Sequence, residues 1–187
     1  MIQTLHIKNM VCDRCKKVIT DTLTTLGVEI HTIELGVIQV DSHSANLEAM
    51  VKTIEAHGFE LIESKEEKIV ERIKVFLINM IDQLPIQRKN KLSTMISDEL
   101  GRDYSSLSKI FSQKEHITIE KYFLRIKLEK VKELIQDGTH SFSQIAFMLD
   151  YSSIHHLSGQ FKQETGFSMS EYKTMVQSDR KPLDKIV

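Results

Sequence analysis

The periodicity of the apolar residues changes once along this chain, near residue 64, and that change limits the fold more than any other feature. Before it, short alternating segments with a repeat of two are interleaved with helical stripes. After it, every apolar stripe has the helical repeat. Residues 2–8, Ile-Gln-Thr-Leu-His-Ile-Lys, alternate and read as a strand. Val18, Ile19, Thr22, Leu23 and Leu26 make a helical stripe over 13–26, which Gly27 stops. Residues 28–34 alternate again, with Val28, Ile30 and Thr32 on one side and Glu29, His31 and Ile33 on the other. Leu35-Gly36 reads as a hairpin turn into the return strand 37–40. Ser44 caps a second helix, about 44–57, with Leu47, Met50, Val51 and Ile54 on one face. Gly58 ends it, and 59–62 is a last short strand. The order β-α-β-β-α-β predicts a ferredoxin-like α+β domain over 1–64.

The chain's two cysteines, Cys12 and Cys15, fall in the loop between the first strand and the first helix. The three-residue spacing lets two thiolates converge on one soft metal ion. In a reducing compartment such a pair is metal-binding or redox-active rather than a structural disulfide. Cys15 lies in the first helical turn, where free N–H groups favour a thiolate. No second cysteine pair or histidine pair stands at zinc-finger spacing.

With Asn9-Met10-x-Cys12-x-x-Cys15 in that loop, the front third resembles the heavy-metal-associated (HMA) domain of copper chaperones and metal-pumping ATPases. The family usually has Gly where this chain has Asn9. The resemblance implies Cu(I) as the ion, with Zn(II) or another soft metal as alternatives, and Met10 as a buried plug that fixes the loop. Met10 thioether ligation, a hard oxygen from Asp13 and a third ligand from His57 are auxiliary readings. For Asp13 a solvated side chain is the plainer assignment, and for His57, as for His6, His31 and His43, a surface histidine.

Beyond residue 64 the chain reads as all helical. Ile69, Ile73, Phe76, Leu77, Met80 and Ile81 form a stripe over 66–83, closed by Pro85. The stripe is a candidate homodimer seam, but packing within its own domain explains it more simply. Helices follow at Leu92–Leu100, then at Tyr104–Phe111 behind Asp103 as cap, then over the long stretch Ile119–Gln136. A last pair comprises Phe142–Leu149 behind Ser141 and Ser153–Thr165 behind Ser152, ended by Gly166. Helix, tight turn, helix is the helix-turn-helix pattern, here twice on a connecting helix.

The carriers Gly101-x-Asp103-x-x-x-Leu107-x-Lys109-x-Phe111 resemble the AraC-type DNA-binding domain. So does the second run, Tyr151-Ser152-Ser153-x-x-x-Leu157-x-x-x-Phe161-Lys162-x-x-Thr165-Gly166, and the resemblance spans about residues 69–176. Domain limits follow: 66–180 for the helical domain and 181–187 as a tail. In this chain Asp150 replaces the family's usual Gly in the second turn, and Gly159 stands where the family often has a DNA-contacting Arg. The second unit is therefore expected to read or hold DNA more weakly. By position, Ser105, Ser108, Lys109, His155, His156 and Gln160 are base-edge candidates, and Lys114, Lys121, Arg125, Lys127 and Lys162 phosphate candidates. His155 and His156, adjacent on a helix, point about 100° apart and chelate one ion poorly.

Charge follows the same division. Residues 1–64 carry 5 Lys/Arg against 9 Asp/Glu, and 65–187 carry 20 against 17. An acidic front and a mildly basic back suit modules with different partners. No apolar run reaches the length of a membrane span and no signal peptide is evident, so a cytoplasmic protein is expected. Phosphate-binding glycine loops, Gly-x-Ser-x-Gly and His-Glu-x-x-His do not occur, and Cys12 with His57 lacks an orienting third group, so an enzyme is not expected. The expected function is a metal-responsive regulator that binds double-stranded promoter DNA. The alternatives are a thiol-redox-responsive transcription factor and a metallochaperone whose helical part binds a partner protein.

Overall fold

A computed structural model describes residues 1–41, 47–87, 90–175 and 186, with nothing said of the Leu47 side chain. Two compact units divide the chain, Met1–Val75 and Phe76–Val187.

The first unit has β1 (Ile2–Lys8), α1 (Asp13–Thr25), β2 (Ile30–Glu34), β3 (Val37–Asp41), α2 (Leu47–Ala56) and β4 (Glu60–Leu61). The sheet order is β2-β3-β1-β4 with every neighbouring pair antiparallel. Leu5, Ile7, Ile19, Leu23, Ile38, Val40, Met50 and Ile54 form its core. Of the stripe expected on α1, Ile19 and Leu23 are buried, while Val18 and Leu26 remain exposed. Strand β2 departs from simple alternation. The register slips between Ile30 and Thr32, a bulge that leaves His31 without a partner on β3. Ile30 and Ile33 can therefore both pack against the core, although strict alternation placed them on opposite faces. The proposed cap Ser44 and His43 lie outside the described residues.

Helix α3 (Lys65–Asp82) starts behind Ser64, whose hydroxyl accepts from the Glu67 N–H and donates to its carboxylate. The boundary between the two compact units falls inside this helix. Its front half belongs with the first unit because Glu71 bonds the Asn9 backbone and Val75 lies against Gly36.

The second unit continues with α4 (Leu92–Leu100), α5 (Tyr104–Glu115), α6 (Ile119–Asp137), α7 (Phe142–Met148), α8 (Ile154–Thr165) and α9 (Met169–Thr174). The long α6 packs on α5, α7 and α9. A repeat fifty positions apart organises this unit. Caps Asp103 and Ser153, buried Leu107 and Leu157, and buried Phe111 and Phe161 correspond. So do the left-handed C-caps His116 and Gly166 and the caps Thr118 and Ser168. Phe111 meets Tyr122 edge-on at 5.6 Å, and Phe161 meets Tyr172 in the same way at 5.5 Å. The second cap is Ser153, which accepts from the His156 N–H, and not Ser152. The Ser152 hydroxyl is turned instead to the His156 ring.

Candidate thiol site and helix-turn-helix surface

The loop from β1 to α1 begins at Asn9, in the left-handed region with φ of 69°. Asn is the side-chain-bearing residue, with Asp, that tolerates this region best, which is why it can stand in a glycine position. Its side-chain amide donates to the Gly58 carbonyl at 3.1 Å and its backbone N–H to Glu71 Oε1 at 3.2 Å. Met10 then turns inward and is fully buried in the core. Cys12 is the N-cap residue of α1, extended and without a capping bond of its own side chain. Cys15 follows in the first turn, partly buried against the core. The two sulfurs are 3.1 Å apart and joined by an S–H···S contact.

The thiolate expected at Cys15 is opposed by its surroundings. Burial pushes the thiol up to about 11, helped by its hydrogen bond to Cys12, and the main-chain bonds from the loop only partly counter this. The helix N-terminus is thus overruled by desolvation.

The auxiliary ligands do not join the pair. Met10 serves as core, Asp13 is 93% exposed and pairs with Lys16 at 2.8 Å, and the His57 ring contacts its own helix at the Thr53 carbonyl, 2.9 Å. Among the described residues no three His, Cys, Asp or Glu side chains converge as a metal cluster. The donor set is therefore two soft sulfurs in a half-buried loop. It fits a soft ion of low coordination number and does not supply a tetrahedral Zn(II) site by itself.

On the helical unit, Ser105, Lys109, His155 and His156 are exposed, and Ser108 and Gln160 are half-buried. Ser105 is engaged locally, its hydroxyl donating to the Asp103 carboxylate. That bond and the Ser106 N–H hold the Asp103 carboxyl below its ordinary range. The His156 ring stands edge-on to Tyr151 at 5.5 Å. Asp150 takes the left-handed conformation, φ 55°, that the turn demands. A Cβ at Gly159 would meet nothing within 4 Å, so no packing demand explains the glycine.

The phosphate candidates divide. Lys114 and Lys162 are exposed. Lys121 pairs with Glu164 of α8, and Arg125 donates to the Ile186 carbonyl at 3.2 Å. Lys127, expected at a phosphate, is instead buried, 8% exposed, with its ammonium 3.9 Å from the Tyr151 ring centroid. It braces the second turn from inside. The Asn9–Glu71 bond, the fifty-residue repeat and helix α9 behind its Ser168–Glu171 capping box are not among the elements expected from the sequence. A lone acid on a buried helix face, and the paired Leu-x-x-x-Phe segments, were the available signals.

Comparison with known proteins bears on the helical unit. Residues 96–175 match the family model described as a helix-turn-helix domain. A probable transcriptional regulator, LumQ, of Photobacterium leiognathi is 28% identical over 111 residues, 59% of this chain. The chain spans 44% of that protein's length. The C-terminal domain of AraT, a response regulator from Geobacillus stearothermophilus, superposes with a TM-score of 0.51 at 21% identity, covering 63% of this chain and 95% of that domain. A transcriptional regulator described among AraC-type DNA-binding domain-containing proteins, from Chromobacterium violaceum, gives 0.51 at 17%, covering 62% of this chain and all of that one, 100%. The helical unit has the AraC-like helix-turn-helix fold. No helix among the described residues is long and apolar enough to cross a membrane.

Proposed function

We propose that this chain is an AraC-type DNA-binding transcription regulator whose N-terminal unit, a ferredoxin-like domain of the HMA kind, captures a soft metal ion, Cu(I) first, through Cys12 and Cys15. One juxtaposition carries the reading: two cysteine sulfurs 3.1 Å apart at a helix start, on a chain that continues into a helix-turn-helix domain. The β2-β3-β1-β4 antiparallel sheet with α1 and α2 supports the ferredoxin-like assignment. Buried Met10 and left-handed Asn9 support a loop shaped in advance for its two thiols.

In this reading Cys12 and Cys15 would hold the ion as thiolates, their two protons released to solvent, and the ion would supply a local positive charge in place of the S–H···S contact. DNA would be held by exposed Lys109, Lys114 and Lys162, with Ser108, His155, His156 and Gln160 assigned to base edges. Metal changes DNA binding only as far as it interacts differently with DNA-bound and free forms. The test is Cu(I) titration of the reduced protein against a competing chelator, with promoter-fragment gel shifts at two salt concentrations. The wild type is expected to bind one Cu(I) that a Cys12→Ser/Cys15→Ser variant cannot, and to bind DNA in a salt-dependent way. Wild-type affinity no better than the double variant's sinks the metal reading. Salt-independent or absent DNA binding favours a partner protein instead.

The short S···S contact also favours a second reading, a redox pair. Both thiols would lose a proton and an electron to a thiol-oxidising reagent, closing a Cys12–Cys15 disulfide. Mass spectrometry after mild peroxide treatment, with and without Cu(I), separates the two.

A further inference from the structure

We infer that Glu71 is a positioning residue that couples the thiol loop to α3, and that α3 reports the state of Cys12 and Cys15 through it. The inference rests on the metal reading above. Glu71 is 5% exposed, and its carboxylate accepts the backbone N–H of Asn9, the left-handed residue at which the loop leaves β1. A bond from an amide to a buried carboxylate is stronger than a neutral one and costly to leave unmade. The same helix face is held at a second point. A Cβ at Gly36, in the β2–β3 turn, would stand 3.5 Å from Glu71 Cγ and 3.4 Å from Val75 Cγ2. Asn9 also donates to the Gly58 carbonyl, so the loops after β1 and α2 are tied together beside Glu71. One helix, Lys65–Asp82, carries these contacts and runs on into the second unit.

Metal entry requires the two sulfurs to move apart. At about 2.3 Å per metal–thiolate bond, two sulfurs sharing an ion stand about 3.8 Å apart at a tetrahedral angle and farther at wider ones. The observed 3.1 Å is too short for either. Cys15 is set in α1 and against the core, whereas Cys12 lies outside the helix at the end of the loop that Asn9 begins. In this proposal the opening is taken up at Cys12, by its side chain and by the segment pinned to Glu71. A merely structural role would lower stability without changing the difference between the empty and loaded forms; a coupling role changes that difference.

Backbone amide exchange of the full reduced chain, with and without one equivalent of chelator-buffered Cu(I), tests this. In the wild type, Cu(I) is expected to change exchange over 68–82 by about fivefold or more. Glu71→Leu should still take up one Cu(I) but lose the α3 response, and Glu71→Gln, which keeps an acceptor oxygen, should retain most of it. Should Glu71→Leu not fold, Glu71→Asp keeps the charge, withdraws the oxygen by one methylene and is read in the same way. A wild-type-sized α3 response in the Leu or Asp variant overturns the inference, as does a wild type that binds Cu(I) while α3 stays unchanged. A wild type that binds no Cu(I) removes the metal reading itself, and this inference with it.

Discussion

The two halves of the helical unit are built on one plan and differ where a DNA groove would meet them. Caps, buried leucines, edge-on aromatic pairs and left-handed helix ends recur fifty residues apart. On the outer face, Lys109 of α5 corresponds to Gly159 of α8, and Ser105 to His155. The interior repeats because each half must fill the same space beside its neighbour helices. The surface diverges because no packing requirement constrains it: space around Gly159 is open. Shared core and unshared surface imply equal contributions to stability and unequal contributions to binding.

The largest test of that comparison is in the core. Phe111→Ala and Phe161→Ala each remove a fully buried ring from an edge-on pair, and each should cost about 3–5 kcal/mol by chemical denaturation. Costs differing by more than a factor of two would break the equivalence of the halves. Binding should separate them next. Lys109→Ala should weaken binding to any DNA and reduce the salt slope by about one. Gly159→Lys, with open space and a helical position, should restore the missing charge on the second half and steepen the slope by about one. That substitution should also stabilise α8 by roughly 0.5–1 kcal/mol, seen as a higher melting temperature. An unchanged salt slope in both variants would show that neither position meets the phosphates. A smaller effect is Ser153→Ala, which removes the acceptor of the His156 N–H and should cost about 1 kcal/mol.

The smallest effect concerns acid. The corresponding cap, Asp103, titrates, and its carboxyl is held low by the Ser105 hydroxyl and the Ser106 N–H. A folded pKa below the unfolded one gives stability that is present above the unfolded value, about 3.9. It is lost as pH falls through the depressed folded value. Amide exchange in α5 should therefore speed up in strong acid more than that in α8, whose serine cap does not titrate. Equal acceleration in both helices, or an undiminished difference in Asp103→Asn, would remove the cap as its cause.

Much of this was legible in the chain, where local chemistry and tertiary demand coincide. Asp103 and Ser141 cap their helices because a short polar side chain before an apolar run has one efficient use. The Cys12–Cys15 convergence follows from spacing at a helix start. Legibility failed where the deciding partner was distant in sequence. Lys127 reads as a surface cation until Tyr151, across a turn, is found beneath its ammonium. Ile33 reads as outward until the bulge at His31 turns it. Asp13 and His57 keep the plainer assignments of a solvated carboxylate and a surface histidine, each engaged by a near neighbour in sequence, Lys16 and the Thr53 carbonyl.

Local residue patterns carried the β-α-β-β-α-β order of the front, the break from alternating to helical periodicity, the caps Asp103 and Ser141, and the place of a thiol loop ahead of two helix pairs; they did not reveal α9 or the Ser153 cap. Those features rest on interactions within a few residues, which the chain carries wherever it goes. Which charges reach solvent, and the burial that opposes a thiolate at Cys15, came from long-range packing. Burial, not helix position, sets Cys15, and burial removes Lys127 from the surface. It was also folding that brought Glu71 to Asn9 across sixty-two positions, since the packed chain buries the carboxylate beside the backbone N–H at which the thiol loop begins.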